Sequence, residues 1–352
     1  MKDQIEDTSW QEPSDDLIEV VEITTDTKQS PVRLDKFLMD RIQKISRNKI
    51  QKSIEIGAIT VDGKMVKSNH KVKPHQYIRV VLPASPYDNS RVIPENIPLN
   101  ILYEDDEVLI INKPANMVVH PGFGNFEGTL LNALAFHLGG GDFDADVHPG
   151  LVHRIDKDTT GIMIVAKTEE AMTHLAKQFY DHTIEREYQA LVWGDLPDDK
   201  GRIEGHIGRH PRDRMQFFVY PEGDQGKHAV THYEVIERMY YVTLVKCKLE
   251  TGRTHQIRVH MKYIGHTLFG DIRYGGNQIL KGTIFSKYRQ FVENCLEMMP
   301  RQSLHAKSLG FIHPKTEQRM YFESPLPEDF SNVLEKWRNY TQSRKALLED
   351  NQ

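Results

Sequence analysis

His153-Arg154-Ile155-Asp156-Lys157-Asp158-Thr159-Thr160-Gly161-Ile162-Met163-Ile164-Val165-Ala166-Lys167 passes from a charged, hydroxyl-rich loop through one glycine into a continuous apolar run. Such a short run, bounded by turn residues, reads as a strand covered on both faces. Thr168 then stands as an N-cap with Glu169 and Glu170 in the first turn of a helix, whose apolar stripe is Met172, Leu175, Ala176 and Phe179. A carboxylate on a loop above a buried strand is held by rigid structure, a common setting for catalysis. The same residues also read as an ordinary turn in which Asp156 and Thr159 accept local backbone bonds. The loop alone leaves both readings open.

Outward from this stretch, further apolar runs at 109–111, 188–192 and 241–245 read as strands. Short turns rather than helices join many of them, so the expected class is α+β with a mixed or mainly antiparallel sheet, not a doubly wound nucleotide fold. Asn277 to Pro300 reads as a loop with a helix. Prolines at 83, 86, 94 and 98 mark a linker over 83–98. In front of it lies a compact unit. Leu34, Phe37, Leu38, Ile42 and Ile45 recur at helical spacing, Ser46 caps a second helix carrying Ile50 and Ile54, and Gly57 ends it. Ala58 to Val66 then reads as two short strands about an Asp62-Gly63 turn, and Tyr77 to Leu82 as another strand. The expected division is an acidic arm at 1–32, with room for a short strand at the apolar patch Leu17 to Ile23, the small unit at 33–82, the linker, a large domain at 99–340 and a tail at 341–352.

The net charge of −5 conceals a sharp partition. Residues 1–30 carry nine carboxylates against two lysines, a net of −7, whereas residues 33–82 carry twelve Lys and Arg against four acids, a net of +8. Phosphate binding depends on the local basic face, so overall acidity excludes nothing. Arg33, Arg47, Lys49 and Lys52 precede or line the two small helices and are the expected phosphate contacts. Two cysteines without CxxC spacing argue against a disulfide framework or a thiolate zinc site. No apolar run reaches a membrane span and no secretory signal is evident, so a cytoplasmic chain is expected, with no membrane partner. The seventeen histidines form no HExxH or Cys/His cluster, and no metal is expected. Asp156 lacks kinase catalytic-loop spacing, and Gly122 to Gly128 is a turn rather than a nucleotide cradle.

The segment His153 to Gly161 closely resembles the signature of the RluA-type pseudouridine synthases, and within them the ribosomal large-subunit synthase D branch. Three more segments resemble that family in the same order: Asn112-Lys113-Pro114 through Gly122, Arg186-Glu187-Tyr188-Gln189-Ala190-Leu191-Val192, and Thr251-Gly252-Arg253-Thr254-His255-Gln256-Ile257-Arg258 through Met261. The small basic unit resembles an S4-type RNA-binding domain, and the resemblance spans about residues 33–335, with Asn277 to Pro300 departing from the family's pattern as an inserted loop with a helix.

The resemblance implies an S4-type domain followed by a pseudouridine synthase catalytic domain. It implies an isomerase that moves the glycosidic bond of uridine from N1 to C5. That rearrangement adds no atoms, so no cofactor, energy donor or metal is expected. Asp156 is the implied catalytic carboxylate, Tyr188 the aromatic against the flipped uracil, and Arg258 the cation paired with Asp156. Arg154, with His153 beside it, is expected to meet the RNA and fill the gap left by the flipped base. Arg258 is expected on a helix capped by Thr254 and ended by Gly265. The implied partner is large-subunit ribosomal RNA or its assembly precursor, acted on by a monomer. Another rRNA site, a tRNA, or a non-catalytic ribosome-assembly role are the competing readings.

Overall fold

The computed structural model describes residues 17–42, 45–84, 92–122, 124–143, 147 and 149–349. The small unit comprises β1 (Ile18–Thr24), β2 (Val32–Arg33), α1 (Leu34–Met39), α2 (Arg47–Glu55), β3 (Ile59–Val61), β4 (Lys64–Met65), β5 (Lys71–Val72) and β6 (Tyr77–Pro83). Ser46 caps α2, its side chain accepting from the Lys49 N–H, and Gly57 leaves the helix at φ +73°. Asp62 and Gly63 both adopt positive φ, 49° and 73°, turning β3 back as β4. Leu34, Phe37, Leu38, Ile50 and Ile54 from the helices meet Ile59, Val61, Ile78 and Val80 in one small core.

The start of this unit differs from the boundary expected at residue 33. Ile18–Thr24, within the expected arm, pairs antiparallel with β6 from Ile18↔Pro83 to Thr24↔Tyr77. The physical reason is alternation: Val21 and Ile23 pack on the small core, while Glu22 and Thr24 face out. The carboxylates before Leu17 lie outside the described residues.

The large unit begins with β7 (Ile101–Glu104), β8 (Val108–Lys113), α3 (Leu130–Leu138), β9 (Gly150–Leu151), β10 (Thr160–Ala166) and α4 (Glu169–Tyr180). It continues through β11 (Glu185–Trp193), β12 (Lys200–Arg209), β13 (Phe217–Tyr220), β14 (Lys227–Met239), β15 (Val242–Leu249) and α5 (Gln256–Tyr263). Last come α6 (Ser286–Met298), β16 (Leu304–Ile312), β17 (Arg319–Glu323) and α7 (Glu328–Glu349). Helix α7 runs through most of the stretch expected as a tail; Phe330, Val333, Leu334 and Trp337 anchor its first half in the core.

Eleven strands form one sheet in the order β13-β12-β14-β15-β11-β16-β10-β8-β7, with β17 on β16 and β9 on β10. Among the described residues its one parallel pairing is β10 with β16. Strand β10 is buried along its whole length. Met163 and Val165 enter the main core, while Ile162 and Ile164 meet Ala171, Leu175, Ala176 and Phe179 of α4. Thr168 caps α4 by accepting from the Ala171 N–H at 3.1 Å. Strand β11 shows the same period of two: Tyr188, Ala190 and Val192 face the main core, and Leu191 and Trp193 face α6 and α7. The inserted segment thus supplies α6, whose Tyr288, Val292 and Cys295 pack beside Trp337 on the sheet.

The two units touch through α4. Lys49 Nζ lies 3.7 Å from Glu169, Lys52 pairs with Glu170, and Arg79 donates to the Tyr180 hydroxyl at 3.4 Å. Leu17, immediately before β1, is buried in the core of the large unit.

Candidate active site

The loop between β9 and β10 carries Asp156, and two side-chain cations fix its shape by holding backbone carbonyls. Lys113, at the buried end of β8, donates to the carbonyl oxygens of Pro114 (2.7 Å), Met117 (2.8 Å) and Lys157 (2.9 Å). Arg301 grips the Asp329 carboxylate with Nε and Nη2 and donates Nη1 to the Asp158 carbonyl at 2.9 Å. The Thr159 N–H closes a turn onto the Asp156 carbonyl at 3.1 Å. Burial pulls the Lys113 ammonium down to about 7, against the opposing pull of Asp156 and Asp158. Three carbonyl acceptors converging on one nitrogen need the three donors of an ammonium. Lys113→Met is therefore expected to strand three loop carbonyls, costing about 3 kcal/mol. A thermal melt should fall by several degrees, and a melt unchanged within 1–2 °C would refute the assignment.

Arg258 sits on α5. The helix is capped not by Thr254 but by His255, which takes the left-handed conformation (φ 56°) and makes no side-chain cap bond. Thr254 is displaced because the chain turns sharply at His255, whose Nδ1 instead meets the Tyr274 hydroxyl at 2.7 Å. Gly265 does follow the helix end, at φ +84°. The turn delivers the nearly buried Arg258 guanidinium to Asp156, with Nη1 donating to Oδ2 at 2.8 Å. His255 Nε2 lies 4.0 Å from the same oxygen. Burial acts to raise the Asp156 carboxyl, but His255, Arg258 and Arg154 outweigh it and hold it down at about 2. Burial likewise pushes the His255 imidazole down to about 4, so at neutral pH Arg258 is the lasting cation beside Asp156. Asp156 keeps 22% of its side chain exposed, so it is ionised yet reachable.

Tyr188 enters from β11, where the register with β16 shifts between Glu187 and Tyr188. Such bulges re-aim side chains, here toward the same cleft. Burial raises the phenol above its ordinary value, so it stays protonated at neutral pH. A cavity of about 530 Å³ joins Asp156, Tyr188, Arg258, Arg154, Arg186 and Arg253, with Leu17, Ile18 and Val20 of the small unit along its edge.

The remaining expected contacts are placed differently. His153 is 7% exposed and lines the same cavity; its Nε2 accepts from the Ile164 N–H and its ring stacks on Phe179, so it also supports the Asp156 loop. Arg33 and Arg47 both clamp the fully buried Asp35, which they hold well below the usual carboxylate range, yet each keeps over 40% of its side chain exposed. Lys49 and Lys52 turn toward Glu169 and Glu170. Lys113, Arg301, Asp271 and Tyr274 were not singled out by sequence reasoning. The signal for Lys113 was a lysine ending an apolar strand. For Asp271 and Tyr274 it was the glycine-flanked run Gly270-Asp271-Ile272-Arg273-Tyr274-Gly275-Gly276.

Comparison with known proteins agrees with this architecture. The family described as RNA pseudouridylate synthase matches residues 107–263, and the S4 domain matches residues 32–77. An uncharacterized RNA pseudouridine synthase of Chlorobaculum parvum is 45% identical over 316 residues, 88% of this chain and 95% of that protein. The ribosomal large subunit pseudouridine synthase D of Pseudomonas aeruginosa is 42% identical over 320 residues, 90% of this chain and 94% of that one. The solved structure of human RNA pseudouridylate synthase domain containing 4 shares the fold at a TM-score of 0.51. It is 24% identical and covers 68% of this chain and 93% of its own.

Proposed function

The chain belongs to the RNA pseudouridine synthases, and from that membership we propose that it isomerises uridines of large-subunit ribosomal RNA in the Asp156 cleft. As an isomerase it breaks the N1–C1′ bond of uridine and forms a C5–C1′ bond, with the C5 hydrogen leaving to solvent and N1 taking up a proton. The observation that carries the site assignment is the Arg258–Asp156 hydrogen bond in a cleft that also receives Tyr188. Arg258 keeps Asp156 ionised and aimed, so it meets the sugar or base as an anion. Tyr188, still carrying its proton, offers an aromatic face and a hydroxyl to an extruded uracil. Arg154, in the same cleft, occupies the space the base vacates.

Relatives named ribosomal large subunit pseudouridine synthase D, near 42% identity over nine-tenths of the chain, support ribosomal RNA as the substrate. In the small unit, Arg33 and Arg47 can each hold Asp35 and still offer an exposed guanidinium edge to a phosphate. Lys49 and Lys52 reach RNA only by leaving Glu169 and Glu170. No helix among the described residues is long and apolar enough to cross a membrane. A ribosomal RNA substrate supports a cytoplasmic location, and we propose that the protein acts there as a monomer.

The test uses transcripts of large-subunit rRNA and of tRNA carrying tritium at uracil C5, since isomerisation expels that hydrogen. Release from the rRNA by wild type is the expected result. Release from tRNA alone would overturn the substrate while keeping the chemistry. No release from naked RNA or from assembled and precursor subunits would overturn both.

A further inference from the structure

The cavity that holds Asp156 is not enclosed by the large unit alone. Leu17, Ile18 and Val20, from the start of the small unit, line it together with Phe179 and Tyr180 at the end of α4. Strand β1 divides its side chains by alternation. Val21 and Ile23 turn into the small core, so Ile18, Val20, Glu22 and Thr24 share the opposite face. On that face Ile18 packs against the cluster that holds Phe179, and Glu22 accepts from the Tyr77 hydroxyl. Val20 joins no hydrophobic core and is 39% exposed.

The backbone at Val20 is as open as its side chain. The Ala84 N–H donates to the Leu17 carbonyl at 2.9 Å and the Thr25 N–H to that of Gln76 at 3.0 Å, so the odd-numbered residues of β1 bond to β6. The N–H and C=O of Val20 therefore point off the free edge of the small sheet, whose order ends at β1. Proteins usually blunt such an edge with charge, proline or a covering element. Here it stays apolar and open beside a cavity. Leu17, buried in the same core as Tyr188 and Ile257, holds it there.

The chemistry of the cavity says what would fit against that edge. Arg154, Arg186, Arg253 and Arg258 line it against one carboxylate, Asp156, an excess of positive charge that suits an RNA backbone. Its volume of about 530 Å³ leaves room beyond a single uracil ring. A nucleobase offers a flat apolar face and a polar edge, the complement of an exposed valine with a free amide N–H and carbonyl. We propose that β1 is part of the substrate site: Val20 forms the wall against which the nucleotide adjoining the target uridine packs, and so is a specificity-determining residue. This inference rests on Asp156 being the catalytic carboxylate of a uridine isomerase.

The experiment takes the full chain and an RNA that the wild type converts, and compares tritium release by Val20→Trp and Thr24→Trp. Thr24 is exposed on the same face of β1 but does not line the cavity. Val20→Trp should lower kcat/KM by about 10²-fold, because it crowds the nucleotide from its seat, while Thr24→Trp stays within 3-fold of wild type. A second measurement needs no substitution. With 4-thiouridine placed one nucleotide to either side of the converted uridine, irradiation should crosslink the RNA to the wild-type peptide containing Val20. Crosslinks confined to the large unit, or a Val20→Trp value within 3-fold of wild type, would overturn the proposal. Equal losses in the two tryptophan variants would do the same, since the effect would then belong to the strand and not to the cavity. No release by wild type from any RNA, or turnover by Asp156→Asn, would instead overturn the reading on which it rests.

Discussion

Asp156→Asn is expected to stop tritium release, with a loss on the order of 10⁴-fold or more, while RNA affinity stays within a few-fold. Asparagine keeps the shape and can still accept the Arg258 bond at one oxygen, but it supplies neither a negative charge nor a strong nucleophile. A well-folded variant that loses RNA binding altogether would contradict the division between grip and chemistry. The variant should also respond differently to acid. The folded-state value of Asp156, about 2, lies below the ordinary value of about 3.9. The Arg258–Asp156 pair therefore stabilises the fold above about pH 4, and that contribution disappears as pH falls toward 2. D156N lacks it at every pH, so the stability gap between the two proteins should close over that window. A gap that stays constant from pH 5 to 2 would deny the carboxylate its depressed value.

The second large effect is structural. Gly161→Ala is expected to cost about 3–5 kcal/mol, combining a strained backbone with an overpacked contact. Gly161 has φ +116°, and a Cβ there would stand 2.2 Å from the Ala306 carbonyl oxygen and 2.7 Å from its nitrogen. Both clashes are with backbone, which cannot swing aside. Gly161 pairs with Ala306 in the parallel contact of β10 and β16 and with Lys113 on the other side. This contact is the seam between the strands below the Asp156 loop and those that bring Tyr188 and Arg258. A large fall in melting temperature, with turnover lost even at temperatures where the chain remains folded, is the expected pair of results. An alanine variant melting within 2 °C of wild type would refute the argument.

Where local rules decide structure, the sequence was readable. Ser46 and Thr168 cap the helices they precede because a hydroxyl at that position has an orphan N–H to meet. The run from Ile162 to Val165 is a strand because helices and sheet cover both its faces. Asp156 on the loop before β10, Tyr188 on β11 and Arg258 on α5 line one cleft, the grouping the ordered motifs implied. What was not legible depends on partners far away in the chain. Nothing near Lys49 or Lys52 announces that Glu169 and Glu170 will face them. His153 lines the cavity beside Asp156, but nothing near it in sequence announces that its ring will stack on Phe179. Asp271 had only its glycine-flanked run to mark it, and its position beside Arg258 gives that run meaning. The strand at Ile18–Thr24 was partly hidden by the acidic composition around it, although its in–out alternation was present all along.

The seating of Leu17 bears on how the enzyme measures its substrate. This leucine belongs to the large unit's core, while the strand that follows it belongs to the small sheet. Together with the lysine–glutamate contacts on α4, it pins the small unit in place, so the proline-rich linker does not set the reach between them. On the proposal that Arg33 and Arg47 hold RNA phosphates, the spacing from them to the Asp156 oxygen is a ruler of fixed length. On that proposal, RNAs whose fold presents a uridine at that offset are the expected substrates, whatever the bases in between.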